Sequence, residues 1–235
     1  MSTPTKEPAK QVKSEKLKTV HLTTPVSDED LANLKPGNVV YLSGIIYTGR
    51  EGVYQRVVGD GQAPPEGVMD LTNVNFHCSP AASAGKDGTY SIGAVTATAS
   101  FRFAKWMKDW FKISGAKMII GKGGMTKSDY EKLFVPQGAV YLSTVGYGTG
   151  ALLGRGIKKV RDVHWLDDLG IAQAMWVLDV ENFGPLLVDS DTKGNSLFDA
   201  NNKEIAKGFA ALYEGLKKPA LSRYGETDDR RDELI

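Results

Sequence analysis

Cysteine is nearly absent: Cys78 is the single one in 235 residues. One thiol cannot close an intrachain disulfide or complete a Cys-ligated cluster from this chain alone. Histidine is almost as sparse, at His21, His77 and His164. His77 and Cys78 are adjacent, and neighbours in a strand point to opposite faces, which makes them poor joint ligands. No metal site is therefore expected on this chain. No uninterrupted apolar run approaches the roughly 18 residues of a membrane helix. The opening "MSTPTKEPAKQVKSEKLK" lacks the apolar core of a signal peptide. It carries Glu7 and Glu15, which speak against a transit peptide, and the final "DELI" is no ER-retention signal. An excess of one charge is missing too: 29 Lys and Arg stand against 28 Asp and Glu, a net +1. Such a chain has no long-range field for nucleic acid. These absences point to a cytoplasmic protein with neither membrane nor nucleic acid as partner.

What is present suits a folded domain. Apolar residues make up 41% and charged residues 24%, ordinary values for a chain that buries a core. Residues 1–19 are lysine-rich, hold Pro4 and Pro8 and show no periodicity; a flexible tail is expected there. The domain is expected over 20–235. "SDEDLANLKPG" predicts a short helix capped by Ser27, with Asp30 three residues on and Pro36-Gly37 as the stop. "NVVYLSGIIYTG" predicts a strand interrupted at Gly44. "VNFHCSP" and "TYSIGAVTATA" are β-prone segments flanking a flexible "AASAGKDG". In "SFRFAKWMKDWFKIS", Phe103, Trp106, Met107, Trp110 and Ile113 share a helical face; core packing explains that stripe. "AKMII" predicts a strand, and "MTKSDYEKLF" a helix boxed by Thr126/Asp129 or Ser128/Glu131. "GAVYLSTV" is a strand running into "GYGTGALLGRG". "AMWVLDV" and "PLLVDSDTKGNSLFD" are strands around a turn, and "NKEIAKGFAALYEGL" is a helix with Ile205, Phe209, Leu212 and Leu216 on one face. The pattern is α/β without a strict βαβα rhythm.

Two glycine-rich stretches invite a nucleotide. Gly115 is followed by five residues before Gly121-Lys122-Gly123; a P-loop requires four, then Lys-Ser/Thr, so the spacing excludes it. "GYGTGA" (Gly146 to Ala151) matches G-x-G-x-x-A, with Asp167 about 20 residues on. Without a second strand to deliver that aspartate, tight packing explains the glycines better. Arg50 follows "IIYTG" at a strand end, Arg102 opens the aromatic helix and Lys122 ends the next strand. Each alone is usually a solvated surface charge. Together they suggest one anionic pocket, because a helix N-terminus attracts an anion and arginine binds carboxylates bidentately. Thr98 and Ser100 offer hydroxyls beside them.

Around these residues the chain resembles a known family. "LKPGNVVYLSGIIYTGREGVYQR", "TATASFR", "MIIGKGGM", "GAVYLSTVGYG", "DLGIAQAMWVLDVENFGPLLVDSDTKGNSLF" and "RYGETDDRRDELI" resemble, in that order, the β subunit of class I fumarases and L(+)-tartrate dehydratases. That subunit corresponds to the C-terminal domain of the single-chain forms. The resemblance covers nearly all of residues 22–235. It implies a single swivelling β/β/α three-layer domain that closes over an α subunit. That α subunit would carry a four-iron four-sulfur cluster, and the assembly would be a heterotetramer of two α and two β chains, or a homodimer of this chain in isolation.

It also implies a hydro-lyase acting on a small dicarboxylate. Arg50 and Arg102 would bind carboxylates, Thr98 would be the base, and Lys122 would serve both binding and catalysis. The chain departs from the family's "RD-x-x-H-x-R" at Glu51 and Tyr54, and from "GPTT-x-x-R" in a way that makes Thr96 a rival to Thr98. The alternative is a catalytically retired relative, or a nucleotide- or anion-binding module on the same fold.

Overall fold

A computed structural model describes residues 17–146 and 149–212, with short segments at 221–223 and 226–227. The chain divides into two compact units, Met1–Leu197 and Phe198–Ile235. Most of the expected tail lies outside the described residues, and its last residue opens the first strand, β1 (Thr19–Thr23). α1 (Asp28–Ala32) has the expected capping box: the Asp30 N–H donates to Ser27 Oγ, and the Ser27 N–H to Asp30 Oδ2. β2 (Val39–Thr48) leads into α2 (Glu51–Tyr54), which continues as a wider helical turn to Gly59. α3 (Val68–Leu71) and β3 (Val74–Phe76) follow.

A hairpin of β4 (Cys78–Ala84) and β5 (Tyr90–Ala97) comes next. The alanine-rich stretch expected to be flexible is thus strand as far as Ala84, because β5 supplies its hydrogen-bond partners. A tight turn over Ser100–Phe103 enters α4 (Ala104–Ser114). Phe103, Met107 and Trp110 are buried as expected, but Phe111 joins them while Ile113 is 42% exposed. The stripe drifts toward Phe111 because its ring packs edge-on against Phe134, centroids 5.0 Å apart.

β6 (Met118–Gly121) precedes α5 (Lys127–Asp129), which starts at the Thr126/Asp129 box, and β7 (Val140–Thr144) follows. α6 (Thr149–Gly156), β8 (Ile157–His164) and α7 (Leu166–Leu169) occupy a region to which the sequence pattern assigned no element. β9 (Met175–Ser190) is continuous across the expected turn. Asn182 bulges there with φ 48°, and its N–H donates to Ser43 Oγ, so the strand survives as an irregular ladder against β2.

The first unit is built on a mixed sheet in the order β1-β2-β3-β6-β7-β9-β8, in which β2 also pairs with β9. β1, β2, β3, β6 and β7 run parallel; β9 is antiparallel to β2, β7 and β8. The pairings β2–β3–β6–β7–β9–β2 therefore form a closed circuit, with β1 and β8 as extensions. Both faces are covered, so the strands read as continuous apolar runs such as Met118-Ile119-Ile120. Val40, Leu42, Ile46, Met118, Ile120 and Leu142 pack on one side. Tyr47, Ile119 and Tyr141 pack on the other, with α4. The described part of the second unit comprises α8 (Leu197–Leu212) and an antiparallel pair, β10 (Leu221–Arg223) and β11 (Glu226–Thr227). Ile205 and Phe209 are exposed on α8; Leu216 lies outside the described residues. Among the described residues no helix is long and apolar enough to cross a membrane.

α6 lies directly on β5. A Cβ on Gly150 would sit 2.5 Å from the Val95 carbonyl oxygen, and one on Gly154 2.4 Å from that of Gly93. The "GYGTGA" glycine Gly150 therefore serves helix–strand packing. Gly154→Ala is expected to lower stability by about 1–3 kcal/mol, the usual cost of overpacking against rigid backbone. Gly93→Ala, whose Cβ meets nothing within 4 Å, is expected to stay within about 0.5 kcal/mol. Urea unfolding midpoints check both.

Candidate active site at the carboxyl ends of the parallel strands

Because β2, β3 and β6 are parallel and in register, their carboxyl ends finish on one edge. Thr48 pairs with Phe76, and Phe76 with Ile120. In closed α/β barrels too, sites gather at the carboxyl ends of parallel strands. The residues just beyond it are Gly49-Arg50, His77 and Lys122. Two of the three expected cations thus flank one histidine.

Beyond Ile120 the ladder between β3 and β6 opens, and the segment leaving β5 fills the gap. The His77 N–H still donates to the Ile120 carbonyl at 2.8 Å. The Thr98 N–H then donates to the His77 carbonyl at 2.7 Å, the Lys122 N–H to the Thr98 carbonyl at 3.2 Å, and the Ser100 N–H to the Lys122 carbonyl at 3.3 Å. Thr98 and Arg102 are thereby brought into the row with Lys122. Gly121 permits the insertion: a Cβ there would lie 1.9 Å from Ser100 Oγ and 2.6 Å from the Tyr141 hydroxyl.

Among the described residues the cations carry no counter-ion. Arg50 is half-buried and donates from Nη1 to the Ala172 carbonyl at 2.8 Å, while its Nε is buried without a partner. Burial, and then the charge of Arg102, hold the Arg50 guanidinium below its usual pKa. Arg102 and Lys122 are exposed, and among the described residues none of the three forms an ion pair. Neighbouring cations do: Arg56 with Asp168 at 2.9 Å and Lys105 with Glu51 at 3.0 Å. The arrangement is an edge of uncompensated positive charge that an anion with two acceptor ends would relieve. Thr98, 8% exposed, is the buried hydroxyl beside it, whereas Thr96 is exposed.

A half-open cleft of about 520 Å³ adjoins the row, walled by Val95, Thr96, Lys122, Thr144, Gly150 and Leu153 among others. Of the expected site residues only Lys122 and Thr96 line it; Arg50, Thr98 and Arg102 belong to the strand-end row.

Supporting polar groups lie beneath. Ser100 Oγ is 2.7 Å from His77 Nδ1 and accepts from the Tyr141 hydroxyl at 2.8 Å. Asn75 Oδ1 accepts from the Tyr54 hydroxyl at 2.7 Å and from Trp110 Nε1 at 3.1 Å. The Tyr130 hydroxyl donates to Asp189 Oδ2 at 2.5 Å and accepts from the Met125 N–H at 2.9 Å, anchoring the chain just after Gly124. Sequence reasoning noticed His77 only as a poor metal ligand. Its place after β3, level with Arg50 and Lys122, is the signal that would have drawn it into the site.

The sequence profile described as "Fumarase C-terminus" matches residues 2–201. The chain belongs to this family. A putative L(+)-tartrate dehydratase subunit beta from Methanocaldococcus jannaschii is 34% identical over 181 residues, 77% of this chain and 91% of that protein. The L(+)-tartrate dehydratase subunit beta of Escherichia coli is 31% identical over 190 residues, 79% of this chain and 90% of that one. A putative class I fumarate hydratase from Geobacillus stearothermophilus is 32% identical over 204 residues, which span 86% of this chain and 37% of that protein. The family's β subunits thus match along most of their length, and the longer fumarate hydratase matches over a part.

Within this family member, burial pushes the His77 imidazole from 6.5 down to about 3. Between those values the unfolded chain binds a proton at His77 that the folded chain does not, so stability rises with pH across the window and is lost as pH falls through it. The slope from this one group is at most about 1.4 kcal/mol per pH unit. His77→Asn, which cannot titrate, is expected to show a shallower loss of thermal midpoint than the parent between pH 6.5 and 4.

Proposed function

We propose that this chain is the β subunit of an iron–sulfur hydro-lyase that reversibly adds or removes water on a small dicarboxylate of the fumarate/malate or tartrate type. The observation that carries the reading is the strand-end row of Arg50, Arg102 and Lys122, which among the described residues has no counter-ions and leaves a buried Arg50 donor unpaired. The names of the curated relatives support the reaction class.

In this reading Arg50 and Arg102 each engage a substrate carboxylate in paired N–H···O bonds and fix the carbon atoms between them. Lys122 supplies a third positive charge, donating from Nζ. Thr98 takes or relays the proton from the carbon adjoining a carboxylate. A threonine hydroxyl is a weak base. Burial removes competing water, and the cations around it favour the alkoxide. Thr96, being exposed, lacks the first of these conditions.

The chain's own residues do not fit a cluster. Cys78 is single and buried, and burial pushes its thiol up, away from the thiolate a metal needs. No three His, Cys, Asp or Glu side chains converge among the described residues. The reading therefore assigns the four-iron four-sulfur cluster to an α subunit, and gives this chain the carboxylate-binding cations and the threonine. Docking by a swivelling three-layer β/β/α domain, an α2β2 heterotetramer, a homodimer of the chain alone and cytoplasmic location belong to the same proposal.

The test is anaerobic co-expression with a cluster-bearing α subunit, followed by assay of fumarate, malate and tartrate. The complex is expected to turn over at least one of them. Arg102→Ala and Lys122→Ala are each expected to lower kcat/KM about a hundredfold, the scale for removing one electrostatic contact to a reacting group. Full activity in both variants would remove the assignment, and tight nucleotide binding without a dicarboxylate response would replace it with a binding module.

A further inference from the structure

We infer that His77 is a positioning residue of this site: through Ser100 it fixes the inserted segment that carries Thr98 and Arg102. The catalytic consequence rests on the proposed hydro-lyase function; the structural claim does not. Ser100 lies two residues after Thr98 and two before Arg102, and is fully buried. Its hydroxyl has one proton and two lone pairs. The Tyr141 O–H occupies one lone pair at 2.8 Å. The Thr98 carbonyl, at 3.5 Å, is a marginal acceptor for the proton. His77 Nδ1, at 2.7 Å, is the group that completes Ser100, either donating to Oγ or accepting from it.

His77 holds the segment at two further points. Its carbonyl accepts from the Thr98 N–H at 2.7 Å. Its ring meets Phe103, the residue after Arg102, edge-on with centroids 4.9 Å apart. Tyr54 closes the other side at 5.8 Å and 83°. The imidazole is therefore locked in place and reaches Thr98, Ser100 and Phe103 in turn. Nε2 is buried without a partner. A phenyl ring would fill the same space without that desolvation cost, so the imidazole earns its place through Nδ1. His77 is fully buried and acts on the site through Ser100.

Three variants test this in the full-length chain and in its complex with the α subunit. His77→Phe keeps the ring and removes Nδ1, His77→Asn keeps a polar atom near the Nδ1 position, and Ser100→Ala removes the partner. In the complex, His77→Phe and Ser100→Ala are expected to lower kcat about a hundredfold, the scale of a 1 Å misplacement, with KM changed less than threefold. His77→Asn should recover kcat to within about tenfold of the parent. In amide NMR spectra of the chain alone, the Thr98, Ser100 and Arg102 signals should shift or broaden in His77→Phe and return in His77→Asn, while Val160 in β8 stays put. Unchanged segment signals in His77→Phe, or a His77→Asn protein as impaired as His77→Phe, would overturn the inference. Should His77→Phe not fold, Ser100→Ala decides by the same readouts. A parent complex inactive on every dicarboxylate sinks the hydro-lyase reading, and the amide spectra then decide the positioning claim by themselves.

Discussion

Everything at the candidate site hangs on three backbone hydrogen bonds, those by which Thr98, Lys122 and Ser100 stitch the chain after β5 between the diverging ends of β3 and β6. A sheet edge that opens leaves carbonyls and N–H groups needing partners. Here the inserted segment supplies them, and in doing so sets a hydroxyl and a guanidinium against the end of β6. The stitch needs room, which Gly121 provides. It needs the β4–β5 hairpin to return to its starting point, which the pairing of Cys78 with Ala97 ensures. It also needs α6 to hold that hairpin, through the close approach at Gly150 and Gly154.

The electrostatics follow from this geometry. Parallel strands deliver Arg50 and Lys122 to one edge, and the insertion adds Arg102. Half-burying one of two like charges and bringing them together is unfavourable, and both effects lower the Arg50 pKa. An anion with two acceptor ends would relieve that unfavourable term. The nearby acids are already engaged: Glu51 with Lys105, Asp168 with Arg56. Among the described residues neither acid pairs with a site cation.

The sequence disclosed most of what is local. Ser27/Asp30 and Thr126/Asp129 marked their helices because a capping box is a contact within four residues. Met118–Ile120 declared a buried strand, and Gly44 an irregular one. The cations stood out because each sits beside a glycine or a helix start. What stayed hidden depends on contacts far along the chain. β8, "IKKVRDVH", is charged along an edge and becomes a strand because β9 offers it a ladder. β9 runs through Gly184-Pro185, residues that usually break a strand, because β2 pairs with it on both sides of the bulge. The link between His77 and Ser100, 23 residues apart, exists only once the insertion is made.

The two departures from the family pattern have different physical meanings. Tyr54 stands where the resemblance expects a histidine, yet its side chain turns inward. Its hydroxyl donates to Asn75, its ring packs on Trp110, Phe103 and His77, and burial pushes its pKa well up. It is a core residue and touches the site through His77. Glu51 stays at the surface and is neutralised by Lys105. Neither change removes a cation from the row, so neither argues against a dicarboxylate. Arg102 and Lys122 face outward, and so does Phe101, 62% exposed between Ser100 and Arg102. In the proposed complex an α subunit docked over the row would exclude water from its charges. Closure and substrate binding would then strengthen each other, because the cations attract the dianion more strongly once water has left.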